Sequence, residues 1–149
     1  ASQSRTQDVD KLLPTSKLSV LLEQRDFVVL STQWTPATDG LMGEAELHQM
    51  KSSAYLINVA RGELIDQSAL TRALREGWIA GAGLDVYTGE FSGPPPEELW
   101  QLPNVMIPPH TSGGTDVQQA KGIELFCENL QRYITGQSLL NVLGWARGY

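Results

Sequence analysis

Three side chains suited to handling a carboxylate and a proton follow apolar segments of this 149-residue sequence: Arg61, Glu90 and His110. A guanidinium binds a carboxylate through two parallel hydrogen bonds and can polarise a neighbouring carbonyl. An imidazole exchanges protons near neutral pH, and an adjacent carboxylate favours its charged form. The set suits a reaction on a small carboxylated carbonyl compound. Taken singly, each residue also has an ordinary explanation: a surface arginine in an ion pair, a solvated glutamate, a hydrogen-bonded loop histidine.

These residues follow predicted β-strands. Each strand is a short apolar segment, and the segments alternate with helical patterns, which indicates an α/β fold with a parallel sheet. In open sheets of this kind, ligands bind outside the carboxyl ends of the strands, and the three side chains are expected at that edge. The first strand is an unbroken apolar run, which predicts burial on both of its faces. The predicted strands are Phe27–Leu30, Tyr55–Val59, Gly83–Val86 and Val105–Ile107.

Predicted helices connect the strands. Ser16 and Asp66 are candidate N-caps, and Gly77 is a candidate C-terminal stop. Apolar positions of the last helix share one face, and Cys127 among them is expected in the core. The Gly81-Ala82-Gly83 segment leads into a strand and not into a helix, so we interpret it as close strand packing and not as a dinucleotide fingerprint. The predicted helices are Asp8–Leu13, Ser16–Gln24, Glu44–Met50, Asp66–Gly77, Glu97–Trp100 and Thr115–Thr135.

The composition argues against several classes of function. The net charge is −6 and basic residues do not cluster, which disfavours a nucleic acid or an anionic membrane as partner. No apolar segment is long enough to span a bilayer, and no signal peptide opens the sequence. Cys127 is the only cysteine, so a reducing, cytoplasmic location is expected. His48 has no second histidine at ligand spacing, so no metal site is expected.

Four segments together are similar to one known family. They are Leu56–Gly62 (LINVARG), Ile79–Tyr87 (IAGAGLDVY), Leu102–Val105 (LPNV) and Pro109–Gly113 (PHTSG). Their order, spacing and strand context resemble those of the D-isomer-specific 2-hydroxyacid dehydrogenases. The resemblance implies a Rossmann-type parallel sheet with flanking helices and NAD or NADP as cofactor. It also implies a small 2-keto or D-2-hydroxy acid as substrate, of the glyoxylate or hydroxypyruvate type, and a homodimer in the full-length protein.

The resemblance also assigns roles to individual residues. Arg61 matches the arginine that binds the substrate, His110 the acid that protonates it, and Glu90 the carboxylate that keeps the imidazole charged. Asp85 matches the aspartate that meets the nicotinamide carboxamide. Phe91 stands where the family usually has proline, and this departure bears on how Glu90 is aimed. The expected cofactor-binding residues are Gln33, Thr38, Val59, Ala60, Arg61, Asp85, His110, Thr111, Ser112 and Gly113.

The beginning of the sequence departs from the family. The family's substrate-domain segment, the first strands of its cofactor domain and its glycine-rich loop have no counterpart here. The chain is therefore expected to be about the C-terminal half of a longer protein and not to be a competent enzyme by itself. Residues 1–135 are interpreted as the C-terminal part of the cofactor domain, and 136–149 as a tail that packs on the substrate domain. Arg5 falls where the second strand would end, and an arginine there favours NADP over NAD.

Two other interpretations stay open. Transcriptional corepressors share this fold and site and use the dinucleotide as a ligand that promotes assembly. A third possibility is an inert fragment with no activity of its own. Turnover by the parent protein would support the enzyme, whereas cofactor-dependent partner binding without turnover would support a corepressor. The enzyme is favoured because nothing beyond the family core suggests an extension that docks partners.

Overall fold

The computed structural model describes residues 9–142, which fall into two compact units divided between Ile107 and Pro108. The first unit contains a four-stranded sheet, and the second contains one long helix. The strands are β1 (Phe27–Leu30), β2 (Tyr55–Asn58), β3 (Gly81–Leu84) and β4 (Val105–Met106). The helices are α1 (Leu18–Leu22), α2 (Glu44–Gln49), α3 (Gln67–Glu76), α4 (Glu97–Trp100) and α5 (Asp116–Ile134), with 3₁₀ turns at Thr15–Lys17 and Gly62–Leu64.

The sheet is parallel throughout and its strands lie in chain order, β1-β2-β3-β4. At the carboxyl end of the sheet, Leu30, Asn58 and Leu84 are register partners across the first three strands. The predicted α/β fold with a parallel sheet is confirmed. Because right-handed connections between strands taken in order all cross the same side, the connecting helices cover one face of the sheet.

The core of the first unit lies between that face and the helices. Alternate residues of β1, β2 and β3 are buried there, including Val28, Leu56 and Ala82, which are register partners. The buried positions Leu47 of α2 and Leu70 of α3 belong to the same cluster. Burying an aliphatic side chain of this size contributes about 1.5–3 kcal/mol, so this layer supplies most of the unit's apolar stabilisation.

The opposite face of the sheet is exposed, which corrects the expectation that β1 is buried on both faces. Phe27 is 64% exposed and Val29 is 53% exposed, and the burial of β1 alternates. The Phe27 and Tyr55 rings stack with centroids 5.7 Å apart on this face. The unbroken apolar sequence of β1 predicted two buried faces, whereas the connecting helices of the first unit all lie on one side of the sheet.

The helix signals of the sequence are largely confirmed. Asp66 caps α3, because its Oδ1 accepts hydrogen bonds of 3.0 Å from the backbone N–H groups of Ser68 and Ala69. Gly77 ends that helix in the left-handed conformation, with φ of 73°. The Gly81 interpretation also holds: a Cβ there would lie 2.8 Å from the Asn104 carbonyl oxygen, so only glycine permits this approach.

Four local expectations are wrong. Ser16 lies inside the Thr15–Lys17 turn and does not cap α1. Residues 9–13 form no helix, whereas Asp8 lies outside the described residues. Strand β3 begins and ends two residues earlier than predicted. Cys127 is exposed on α5 and is not a core residue.

The second unit is described from Pro108 to Val142. Thr115 caps α5 by accepting a 3.2 Å hydrogen bond from the backbone N–H of Gln118. After the helix the chain turns back, since the Asn129 amide exchanges two hydrogen bonds with the backbone of Leu140. The proposed domain bounds, 1–135 and 136–149, stay a prediction. No helix within residues 9–142 has the length and apolar character that crossing a membrane requires.

Candidate active site

Arg61 follows β2 in a turn that the last residue of that strand holds closed. The Asn58 side chain donates a 2.8 Å hydrogen bond from Nδ2 to the Arg61 carbonyl oxygen. Its Oδ1 accepts a 3.1 Å bond from the Ala60 backbone N–H. The Arg61 backbone is extended, and Nη1 donates a 2.6 Å bond to the Ala60 carbonyl oxygen. The guanidinium is thus exposed at the carboxyl end of β2, as the sequence predicts, on a turn fixed by a buried amide.

Gly62 brings this turn into close contact with the segment that follows β3. A Cβ on Gly62 would lie 2.1 Å from the Tyr87 carbonyl carbon and 2.3 Å from the Thr88 nitrogen. Real Cβ atoms do not approach this closely, so the contact between the two backbones requires glycine. The Thr88 N–H also donates a 3.1 Å bond to Oε1 of Gln67, at the start of α3. The structure therefore holds the Arg61 turn and the start of the Glu90 segment together.

The two predicted carboxylates follow β3. Asp85 is 4% exposed, and its backbone N–H donates a 3.0 Å bond to the Asn58 carbonyl oxygen, so it continues the ladder between β2 and β3. Glu90 is half-buried and follows Gly89, whose φ is 82°. The Glu90 N–H bonds to the Tyr87 carbonyl oxygen at 3.3 Å, which closes a tight turn. Phe91, where the sequence departs from the family, is 88% exposed.

The loop after β1 contains two of the expected cofactor residues. The Thr38 hydroxyl donates to the Gln33 carbonyl oxygen at 2.8 Å and accepts from the Thr35 N–H at 2.8 Å. Thr38 therefore braces the loop, whereas Gln33 is exposed at the carboxyl edge of the sheet. Sequence reasoning assigned Thr38 to the cofactor and did not identify this bracing role.

A concavity of about 470 Å³ lies on the same loop, lined by Trp34, Thr35, Pro36 and Asp39. The Trp34 indole N–H donates a 2.8 Å bond to Asp39 Oδ1, which fixes a ring that is 51% exposed. Since the polar atom of the indole is already bonded, the exposed part of the ring offers an apolar surface. Sites for small molecules and cofactors are typically concavities of about 300–1,000 Å³ with mostly apolar walls, and this concavity lies within that range.

Val59 and Ala60 lie between the end of β2 and Arg61. Val59 is exposed and Ala60 is half-buried, and the Val59 N–H bonds to the Leu30 carbonyl oxygen at 3.1 Å. Their backbone is thus part of the same edge as the loop after β1. Arg5, expected at the cofactor phosphate, lies outside the described residues.

His110 lies in the second unit, in an exposed turn ahead of α5. Its φ is 52°, a left-handed conformation that few residues other than glycine adopt. The His110 N–H donates a 3.0 Å hydrogen bond to the Pro108 carbonyl oxygen. The Gly114 N–H donates a 3.0 Å hydrogen bond to the Thr111 carbonyl oxygen. Thr111, Ser112 and Gly113 are exposed in the same turn. Backbone strain of this kind costs about 1–3 kcal/mol and concentrates at active sites, which supports a functional role for His110.

The described residues contain no group of three or more histidine, cysteine, aspartate or glutamate side chains placed to hold a metal ion. Within the first unit, the carboxyl edge brings together Arg61, Asp85, the Glu90 turn and the loop after β1. Asn58, Gly62 and Gln67 fix the geometry of that edge. The roles of these three residues were not identified from the sequence. The contacts of Gly62 and Gln67 join distant segments, and those of Asn58 depend on its burial at the end of β2.

Comparison with known proteins identifies the family. Residues 1–112 match the model of the D-isomer specific 2-hydroxyacid dehydrogenase, NAD binding domain. The chain belongs to this family. It is 41% identical over 135 residues to a glyoxylate reductase of Korarchaeum cryptofilum (strain OPF8), a match that covers 89% of this chain and 40% of that protein. The chain thus spans about two fifths of the length of the curated relatives it matches.

Two solved structures of the family show the same fold. A D-isomer specific 2-hydroxyacid dehydrogenase from Xanthobacter autotrophicus Py2, in complex with NADPH and MES, superposes with a TM-score of 0.80 at 36% identity. That match covers 90% of this chain and 54% of the other. An NADPH-dependent glyoxylate/hydroxypyruvate reductase from Sinorhizobium meliloti, in complex with NADP and malonate, gives a TM-score of 0.71 at 32% identity, covering 83% and 38%. The family and the Rossmann-type sheet expected from the sequence are confirmed.

Proposed function

We propose that the protein carrying this chain is an oxidoreductase that transfers a hydride between NAD(P)H and a small 2-keto or D-2-hydroxy acid. One observation carries the proposal: Gly62 holds the turn of an exposed arginine against the segment that bears Asp85 and Glu90, at the carboxyl edge of a dinucleotide-binding sheet. The glyoxylate reductases that the chain resembles, and the reductase bound to NADP and malonate, support a carboxylated substrate.

The chain's own residues have distinct tasks in this reaction. Arg61 binds the substrate carboxylate and polarises the carbonyl oxygen. Asp85, Val59, Ala60 and the loop containing Gln33 and Thr38 would hold the cofactor, as would the turn at Thr111, Ser112 and Gly113. When bound, the reduced nicotinamide supplies the hydride that reaches the carbonyl carbon.

His110 donates the proton to the carbonyl oxygen, so that the products are the 2-hydroxy acid and the oxidised cofactor. The family resemblance assigns Glu90 the role of the carboxylate that partners this imidazole. Exchange of this proton is the acid-base step of the proposed reaction, and it runs in reverse when the hydroxy acid is oxidised.

His110→Ala tests the assignment in the protein that carries this chain. Consumption of NADH and NADPH is followed with glyoxylate, hydroxypyruvate and pyruvate. Loss of a general acid is expected to lower turnover by about 10²-fold or more. His48→Ala is the matched control. His48, the other of the two histidines, lies on α2 and stacks on Trp78, ahead of β3, with ring centroids 3.6 Å apart. Turnover that survived His110→Ala as well as it survives His48→Ala would contradict the mechanism.

We also propose that the full-length protein is a cytoplasmic homodimer that uses a small molecule as substrate and binds neither nucleic acid nor membrane. The sequence favours NADP over NAD through Arg5. A protein that bound NAD(P)H and a protein partner but reduced none of the three acids would instead support the corepressor alternative.

A further inference from the structure

Asn58 is a buried polar residue whose register partners on both sides are apolar. It is completely buried at the end of the central strand β2, and its register partners are Leu30 and Leu84. Burial of an amide costs free energy unless its donor and acceptor are both bonded. Among the described residues, the side chain makes no hydrogen bond to either neighbouring strand. Both of its bonds go forward along the chain, to Ala60 and Arg61.

These two bonds fix the turn from which the arginine projects. Oδ1 accepts from the N–H two residues ahead, as in an Asx turn, and Nδ2 donates to the carbonyl three residues ahead. The Arg61 carbonyl oxygen also accepts from the Leu64 N–H at 3.3 Å, so the turn is held from both sides. The Asn58 backbone carbonyl binds the Asp85 N–H at the same time. One residue therefore ties the Arg61 turn to the position of Asp85.

We propose that Asn58 is a positioning residue for the substrate: it acts through Arg61 and never touches the bound acid. This inference rests on the proposed function for the role of Arg61. A displacement of about 1 Å in a group that orients a substrate can cost about 10²-fold in rate, so a turn fixed by a buried amide has a large effect on catalysis.

The variant Asn58→Leu removes both bonds and keeps the branching and the number of heavy atoms of the side chain. Asn104→Leu is the matched control, because the Asn104 amide also donates two bonds to backbone carbonyls, those of Leu74 at 3.2 Å and Ala80 at 3.3 Å. Asn104 precedes β4 and so lies at the opposite, amino edge of the sheet. Each variant loses two side-chain hydrogen bonds to the backbone, but only Asn58→Leu loses its bonds to the Arg61 turn.

The first measurement is amide hydrogen exchange, which does not depend on activity. Asn58→Leu is expected to abolish protection at the Ala60 N–H, whereas Asn104→Leu leaves that protection unchanged. Retained protection at Ala60 in Asn58→Leu would show that the turn holds without the amide and would overturn the inference. If the wild-type protein had no turnover, the proposed function would be wrong. The exchange result would still decide whether Asn58 fixes the turn.

The second measurement is a double-mutant cycle with Arg61→Ala, read as kcat/KM for the 2-keto acid and as KM for the cofactor. Asn58→Leu is expected to lower kcat/KM by about 10- to 100-fold when Arg61 is present and by no more than about 2-fold when it is absent. The cofactor KM is read as a separate quantity, because Val59 and Ala60 lie in the same turn and would hold the cofactor. An equal loss in both backgrounds would mean that Asn58 only stabilises the fold, and would overturn the proposal.

Discussion

Adding one methyl group at Gly62 tests whether the Arg61 turn and the segment after β3 must touch. In Gly62→Ala the new Cβ would meet backbone atoms of Tyr87 and Thr88 at 2.1–2.5 Å, where ordinary contacts begin at 3.4 Å. Backbone atoms cannot rotate aside as the end of a flexible side chain can, so the two segments must separate by about 1 Å. Overpacking of this kind costs about 1–3 kcal/mol, and the upper half of that range is expected here.

Two quantities measure the effect. For a chain of about 150 residues, a loss of about 2–3 kcal/mol lowers the melting temperature by roughly 4–12 °C. A shift of about 1 Å in the Arg61 turn should also lower kcat/KM for a 2-keto acid by about 10²-fold in the protein that carries the chain. Thermal unfolding is measured on this chain, and steady-state kinetics are measured on the protein that carries it.

Gly93→Ala is the control for Gly62→Ala. Gly93 lies in the connection that follows Glu90, and a Cβ there would meet no atom within 4 Å. It should leave melting temperature and kcat/KM close to wild type. If Gly62→Ala behaved like Gly93→Ala in both assays, the close approach would not be a requirement of the fold or of the site, and the reasoning that joins the two segments would fail.

Two further predictions concern the α3 cap and the choice of cofactor. Asp66→Ala removes the acceptor for two backbone N–H groups, so it is expected to lower the free energy of unfolding by about 1 kcal/mol in urea denaturation; an unchanged midpoint would speak against the cap. Arg5→Ala is expected to raise the KM for NADPH by about tenfold and to leave that for NADH unchanged, because a charged hydrogen-bond partner of the phosphate is lost. A preference for NADH that the substitution does not alter would refute the NADP assignment.

Most of the correct predictions of the fold came from sequence patterns that involve only a few neighbouring residues. Asp66 and Gly77 mark the ends of α3 because capping depends on a few neighbouring residues, and the structure has both as expected. Strand β3 was placed two residues late because its glycines and alanine have low strand propensity. Its true position depends on the close approach of Gly81 to Tyr55 and Asn104, which are distant in the sequence. Which face of β1 is covered also depends on crossover direction and not on the composition of the strand.

The site was predictable to a similar degree. Arg61, Glu90 and His110 were recognisable because they follow predicted strands, and the family resemblance supplied Asp85. Asn58 and Gln67 were not identified, since their bonds to the Arg61 and Thr88 backbones are products of the folded geometry. An amide at the end of an otherwise apolar strand was the one available signal. It gains meaning only when its burial and its bonding partners are known.

The exposed face of the sheet implies that substitutions in this chain fall into two kinds. Replacing Val28, Leu56 or Ala82 should reduce stability in any context, because these side chains pack inside the first unit. Replacing Phe27 or Met106, which is 71% exposed, should leave the isolated unit almost as stable as before. Where another polypeptide covers that face, those same changes would impair assembly. A mutational scan scored only by the stability of this chain would therefore classify the outer face as tolerant, whereas selection on the whole protein would conserve it.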